Sequence, residues 1–199
     1  MMPLSPALFL AAASALVASD LRLPRRSKPE RGTEVDPDSR ETHAPEDGLA
    51  TAAFIAHVGY WSHRRAVGRS SWPLPLGADC DGLARIGSER GVLITGTPDP
   101  GAIYLRWSDC DQRFVHAAIV LSAMDVPPQA QGGWTYDCHV LEGRAELTRP
   151  EPGEPRIQTT LHWARQGRLG CSPALGDRFL TWVDLDRRNQ LTRATRRAA

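Results

Sequence analysis

Two residues in the middle of the chain have the types and the spacing of a catalytic pair. His116 lies in the apolar segment FVHAAIVL (114–121), and Glu142 lies near the end of the segment CHVLEG (138–143). Both segments are predicted to be strands, so an antiparallel pairing brings the carboxylate against the imidazole. A carboxylate in that position fixes the tautomer of the ring and stabilises the imidazolium that forms when the ring takes a proton. The pair therefore predicts general-base chemistry, while a hydrogen-bonded core histidine is the competing interpretation.

A nucleophile is harder to place. Cys80 follows Asp79, which is a good helix cap, and a thiolate at a helix N-terminus is stabilised by the helix dipole. The carboxylates of Asp79 and Asp81 oppose that effect, because they disfavour another negative charge nearby. Cys80 is nevertheless the candidate nucleophile with the most suitable chemistry. Three other histidines have no partner that the sequence reveals and are interpreted as structural: His63, His139 and His162.

The four cysteines are dispersed along the chain, without the close pairs that are typical of zinc or redox sites: Cys80, Cys110, Cys138 and Cys171. No metal and no cofactor is therefore expected. An even number of cysteines is compatible with two disulfides in an exported protein and equally with four thiols in a cytosolic one. A disulfide at Cys80 would exclude it as a nucleophile.

The elements that must position these residues are two helices followed by strands. Apolar residues at helical spacing follow the cap Asp47, and a second, shorter helix is expected between the cap Asp79 and Gly91, a suitable left-handed stop. Five β-branched or aromatic segments bounded by Gly, Pro or Asp are predicted strands. They span 102–107, 114–122, 134–142, 157–163 and 178–184, and the pattern as a whole predicts an α+β fold.

Length and composition indicate one globular domain with tails. The chain has 199 residues, of which 41% are hydrophobic and 24% charged, and its net charge of +1 does not favour nucleic acid or an acidic membrane surface as a partner. Residues 1–19 contain a twelve-residue apolar run (7–18) that suits a signal peptide and is too short to span a bilayer, although no basic residue precedes it. A secreted or periplasmic location is therefore expected, with the cytoplasm as the alternative. Residues 20–47 are predicted to be a disordered linker, 48–185 the domain and 186–199 a basic flexible tail.

The order of helix, PGAIYL, FVHAAIVL, VLEG and a closing FLTWVDL resembles the CHAP family, the cysteine, histidine-dependent amidohydrolase/peptidase branch of the papain-like cell-wall hydrolases. The resemblance covers roughly Gly48 to Asp184. It implies a papain-like fold, in which N-terminal helices pack on a small antiparallel β-sheet or half-barrel of about five strands. It also implies a base, His116, an orienter, Glu142, and hydrolysis of amide bonds in peptidoglycan. The positions that match the family motifs are Pro100, Gly101, His116, Ile119, Val120, Glu142 and Gly143.

Two positions depart from the family pattern. Thr51 stands where the family has its cysteine, at the start of the first helix, and Arg144 stands where it has asparagine. The spacing of 65 positions from Thr51 to His116 resembles that of the family, whereas the 36 positions from Cys80 are few. Cys80 instead lies in a DCDGL segment that resembles the DCSGL opening of a sister branch. A threonine hydroxyl is a much weaker nucleophile than a thiolate.

Three functions remain open on the sequence alone. The first is a CHAP-type peptidoglycan amidase or endopeptidase that uses Cys80, His116 and Glu142. The second is an inactive CHAP-like domain that binds cell-wall peptide or a protein partner, as Thr51 and Arg144 favour. The third is an unrelated β-rich domain in which His116 and Glu142 form a hydrogen bond of the core.

Overall fold

Two helices pack on one face of an antiparallel sheet in the described part of the computed structural model. The structure describes residues 10, 11, 15, 48–67, 77–126, 134–148 and 158–181. The expected linker and basic tail lie outside these residues, as does the expected signal peptide apart from residues 10, 11 and 15. The helices are α1 (Gly48–Val67) and α2 (Cys80–Glu89). The strands are β1 (Leu93–Ile94), β2 (Ile103–Ser108), β3 (Arg113–Asp125), β4 (Tyr136–Thr148), β5 (Gln158–Cys171) and β6 (Arg178–Leu180).

The strand order in the sheet is β1-β6-β2-β3-β4-β5, and every neighbouring pair is antiparallel. The predicted α+β class is confirmed. The described sheet is open and has six strands where about five were expected, because the short strand β1 pairs with β6. The last described strand, β6, lies between β1 and β2 and pairs with both. This long-range pairing completes the half of the sheet on the β2 side of β3, the strand that carries His116.

The sheet is apolar on both faces, so two layers of side chains form the core. The layer on the helix side joins Phe54 and Leu83 of the helices to Ile119 and Leu141 of the sheet. The layer on the opposite face is built by strands without either helix, around Tyr104, Val120, Val140, Cys138 and Phe179, and it includes Cys171 of β5. Within the described residues, neither helix combines the length and the apolar character needed to cross a membrane.

Local signals in the sequence fix several element ends. Asp79 caps α2, where its side chain accepts a hydrogen bond from the backbone N–H of Gly82 at 2.8 Å. Gly91 follows the helix with a φ of 61°, the left-handed conformation that glycine adopts without steric cost. Both features agree with the prediction for the second helix.

Strands β4 and β5 are longer than predicted. They were expected to end at Glu142 and Trp163, but β4 continues to Thr148 and β5 to Cys171. Two glycines in these extensions are positions of close approach: a Cβ would lie 2.6 Å from the Phe54 ring at Gly143 and 2.0 Å from the Trp134 ring at Gly170. The last predicted strand is described from Arg178 to Leu180, and its expected end at 182–184 lies outside the described residues.

A buried carboxylate fastens β6 to β2. Asp177 accepts hydrogen bonds from the Tyr104 hydroxyl at 3.1 Å, the Trp107 N–H at 3.2 Å and the Ser172 N–H at 2.9 Å. Burial raises the pKa of Asp177, although these three donors oppose that rise. The cluster holds together the turn before β6 and the strand next to β3.

Candidate functional site

His116 and Glu142 meet, as the sequence predicted. The His116 Nε2 and Glu142 Oε2 atoms are 3.4 Å apart, and the two side chains are 8% and 10% exposed. The ladder between β3 and β4 ends at the pair Ile119 and Leu141. Glu142 is the next residue on β4, and His116 lies three residues before Ile119 on β3. The two side chains therefore meet where these strands are no longer paired.

Arg165 completes a row of three charged or polar side chains. Its Nε donates to Glu142 Oε1 at 2.7 Å, while the Arg165 side chain is 67% exposed. Burial alone would raise the pKa of Glu142, but the nearby His116 ring and the hydrogen bond and positive charge of Arg165 hold it at about 2. Glu142 is therefore a carboxylate throughout the neutral pH range. Sequence reasoning missed Arg165, because the strand that carries it was predicted to end at Trp163.

The two candidate nucleophiles also meet, at the N-terminal end of α1. Thr51 Oγ1 lies 3.5 Å from Cys80 Sγ, and the Cys80 thiol donates to the carbonyl oxygen of Gly48 at 3.1 Å. Thr51 Oγ1 also accepts a hydrogen bond from the N–H of Ala117, the neighbour of His116, at 3.3 Å. Cys80 is completely buried and Thr51 is 4% exposed.

The His116–Glu142 pair and the Thr51–Cys80 pair lie on opposite faces of the sheet. Ala117 packs in the helix-side layer with Cys80, whereas Ala118 packs in the layer on the other face. Successive side chains of a strand alternate between faces, so the His116 ring points away from the face that Ala117 and Cys80 share. The backbone of Ala117 thus brings Thr51 next to the histidine strand, while the Cys80 thiol and the His116 ring lie on different sides of it.

The environment of Cys80 favours the neutral thiol. An S–H group that donates to a carbonyl oxygen must keep its proton, and ionisation would set a thiolate against that oxygen in a site without solvent. Asp81, whose charge was expected to oppose a thiolate, accepts a hydrogen bond from the Phe114 N–H at 2.8 Å and so ties α2 to β3. This arrangement suits a structural thiol.

The other predicted positions lie apart from this site. All four cysteines are free thiols, and Cys110 is the exposed one. His162 Nε2 lies 3.6 Å from Glu146 Oε2, and both side chains are exposed. His139 lines an open depression of about 460 Å³ on strands β3, β4 and β5, and the side chain of His63 lies outside the described residues. Among the described residues, no group of three or more His, Cys, Asp or Glu side chains is placed to hold a metal ion.

Comparisons with known proteins add no relative: no family model, no curated protein and no solved structure matches the chain.

Proposed function

We propose that residues 48–185 form a CHAP-like, papain-like domain that binds cell-wall peptide without hydrolysing it. The observation that carries this proposal is the state of both nucleophile candidates. Cys80 is fully buried with its thiol donating to the Gly48 carbonyl, and the Thr51 hydroxyl accepts from the Ala117 N–H. Covalent catalysis needs a nucleophile that is both activated by a base and open to substrate, and neither group meets these conditions.

The position of α1 supports the papain-like part of the proposal. A Cβ on Gly48, the first residue of the helix, would lie 3.3 Å from the carbonyl oxygen of Phe114, so the helix begins directly against the histidine strand. Thr51, in the first turn, bonds the residue next to His116. The resemblance expects the nucleophile in this first turn, so the contact supports the proposal, with threonine in the cysteine position.

A peptide ligand of this kind lies outside the cytoplasmic membrane. The proposal therefore includes a secreted or periplasmic location, for which the apolar run in residues 7–18 is the sequence support.

A peptidoglycan amidase or endopeptidase is the second candidate. The contact between His116 and Glu142 favours it, because a carboxylate that stays ionised is suited to orient an imidazole that acts as a base. In this mechanism Cys80 attacks the amide carbonyl, its proton passes to His116 and then to the leaving amine, and water clears the acyl-enzyme. Cys80 would first have to leave the Gly48 carbonyl and reach the face of the sheet that His116 occupies.

Cosedimentation with purified insoluble peptidoglycan, combined with turbidity and release of soluble fragments, separates the candidates. We expect the wild-type protein to sediment with the polymer without releasing fragments. The variants Cys80→Ala, Thr51→Ala and His116→Ala test each site residue, and His139→Ala is the matched control on the neighbouring strand. Fragment release by the wild type that Cys80→Ala abolishes would establish the hydrolase instead. If the wild-type protein neither sediments with the polymer nor releases fragments, both candidates are refuted and the unrelated β-rich domain is favoured.

A further inference from the structure

Glu142 and three neighbouring side chains share the sheet face that is turned away from the helices. The β4–β5 register places Glu142 opposite Arg165 and Arg144 opposite Trp163. Gly143, between the two β4 residues, faces α1, because a Cβ there would lie 2.6 Å from the Phe54 ring. Alternation then places Glu142 and Arg144 on the other face, with Trp163 and Arg165 beside them.

The charges in this group do not cancel. The group holds two guanidinium groups and one carboxylate, Glu142, which is buried and already occupied by Arg165 and His116. Arg144 forms no ion pair with any residue in the described part of the chain. Among the described residues, one positive charge of this group is therefore left without a carboxylate partner, beside the His116–Glu142 pair.

Arg165 is held in place and still has donors available. Only its Nε binds Glu142, so the two terminal nitrogens of a 67% exposed side chain remain for a ligand. Its guanidinium carbon also lies 5.4 Å from the centroid of the Trp163 ring, and Trp163 itself is 37% exposed. Both contacts restrict the arginine, which lowers the entropy cost of binding with it.

We propose that Arg144, Trp163 and Arg165 form a subsite for a carboxylate of the bound peptide, with Arg144 and Arg165 as donors and Trp163 as an apolar wall. Guanidinium groups bind carboxylates through paired hydrogen bonds of matching geometry, and the uncompensated positive charge supplies the attraction. The ligand class is a peptide with a free carboxylate, either an acidic side chain or a C-terminus. The choice of a peptide rests on the proposed function. Arg144, the departure from the family's asparagine, is then a binding residue.

The first test uses a small probe, so that it does not depend on peptidoglycan binding. Glutarate and its uncharged analogue glutaramide are titrated into the ¹⁵N-labelled full-length protein, and the arginine Nε–H signals are followed by NMR. We expect glutarate to shift the signals of Arg144 and Arg165, with glutaramide shifting neither. Arg168 is the matched control, because it lies on the same strand with 66% exposure but is paired with Asp137. Equal shifts at Arg168, or none at Arg144 and Arg165, would overturn the subsite.

The second test measures affinity for alanyl-γ-glutamyl-lysyl-alanyl-alanine and for the same peptide with both carboxyl groups amidated. We expect Arg144→Gln and Arg165→Gln each to weaken binding of the free acid about tenfold and to leave the amide unchanged. Arg165→Lys should lie between, and Arg168→Gln should match the wild type. Equal affinity for acid and amide would overturn the subsite, as would tighter binding of a single-stranded oligonucleotide. If glutarate binds as expected but neither peptide nor peptidoglycan does, the subsite stands and the proposed function fails.

Discussion

The substitution Glu142→Gln should remove a stabilising interaction that can be estimated from the structure. The pKa of Glu142 is lowered from 4.5 to about 2 in the folded chain, and this difference corresponds to about 3 kcal/mol at ~1.36 kcal/mol per pKa unit. Arg165 is 67% exposed, so solvent screens part of its attraction to the carboxylate. We therefore expect Glu142→Gln to lower the free energy of unfolding at pH 7 by about 2 kcal/mol.

The stabilisation by Glu142 should depend on pH. The folded state binds the Glu142 proton less tightly than the unfolded state, so the stabilisation is complete above about pH 4.5 and is lost as the pH falls towards 2. Urea unfolding of the wild type and of Glu142→Gln should therefore differ by about 2 kcal/mol at pH 7. The difference should narrow steadily between pH 4.5 and pH 2.5, whatever other carboxyl groups contribute to both proteins.

Glu146→Gln is the matched control for this experiment. Glu146 lies on the same strand and is also paired with a histidine, His162, but its side chain is 67% exposed. An exposed pair contributes little, so we expect this variant to lose less than about 0.5 kcal/mol at any pH. An equal loss in both variants would contradict a stabilising role of the Glu142 charge, as would a Glu142→Gln deficit that stays constant from pH 7 to pH 2.5.

Two further predictions concern packing and the thiols. Gly143→Ala should lower the free energy of unfolding by several kcal/mol or prevent folding, because the new Cβ would lie 2.6 Å from the Phe54 ring and from the Trp163 carbonyl oxygen. Gly96→Ala is the control: a Cβ there has nothing within 4 Å, so thermal unfolding should be nearly unchanged. In native protein treated with a thiol reagent and analysed by mass spectrometry, Cys110 should react at once and Cys80 only as fast as the chain unfolds. Rapid labelling of Cys80 would contradict the assignment of a structural thiol.

Part of the site was predictable because it depends on neighbouring strands. His116 and Glu142 lie on consecutive long strands, and consecutive antiparallel strands usually pair, so the sequence order alone brings the two residues close. Arg165 was not predictable in the same way. The strand that carries it was predicted to end at Trp163, whereas β5 continues to Cys171, and Gly170 in this extension accommodates the close approach of the Trp134 ring.

The α+β class, the helix cap at Asp79 and the two strands that carry His116 and Glu142 were predictable from the sequence, since these features depend on periodicity and on residues within a few positions of one another. Which side chains face one another depends on how the elements pack in three dimensions. The contact between Thr51 and Cys80 joins residues 29 positions apart. Cys80 and His116 lie on opposite faces of the sheet because of which β3 side chains are turned towards the helices. A shift of one residue in a strand exchanges its two faces, so local pattern could name the chemical groups but could not place them on one side of the sheet.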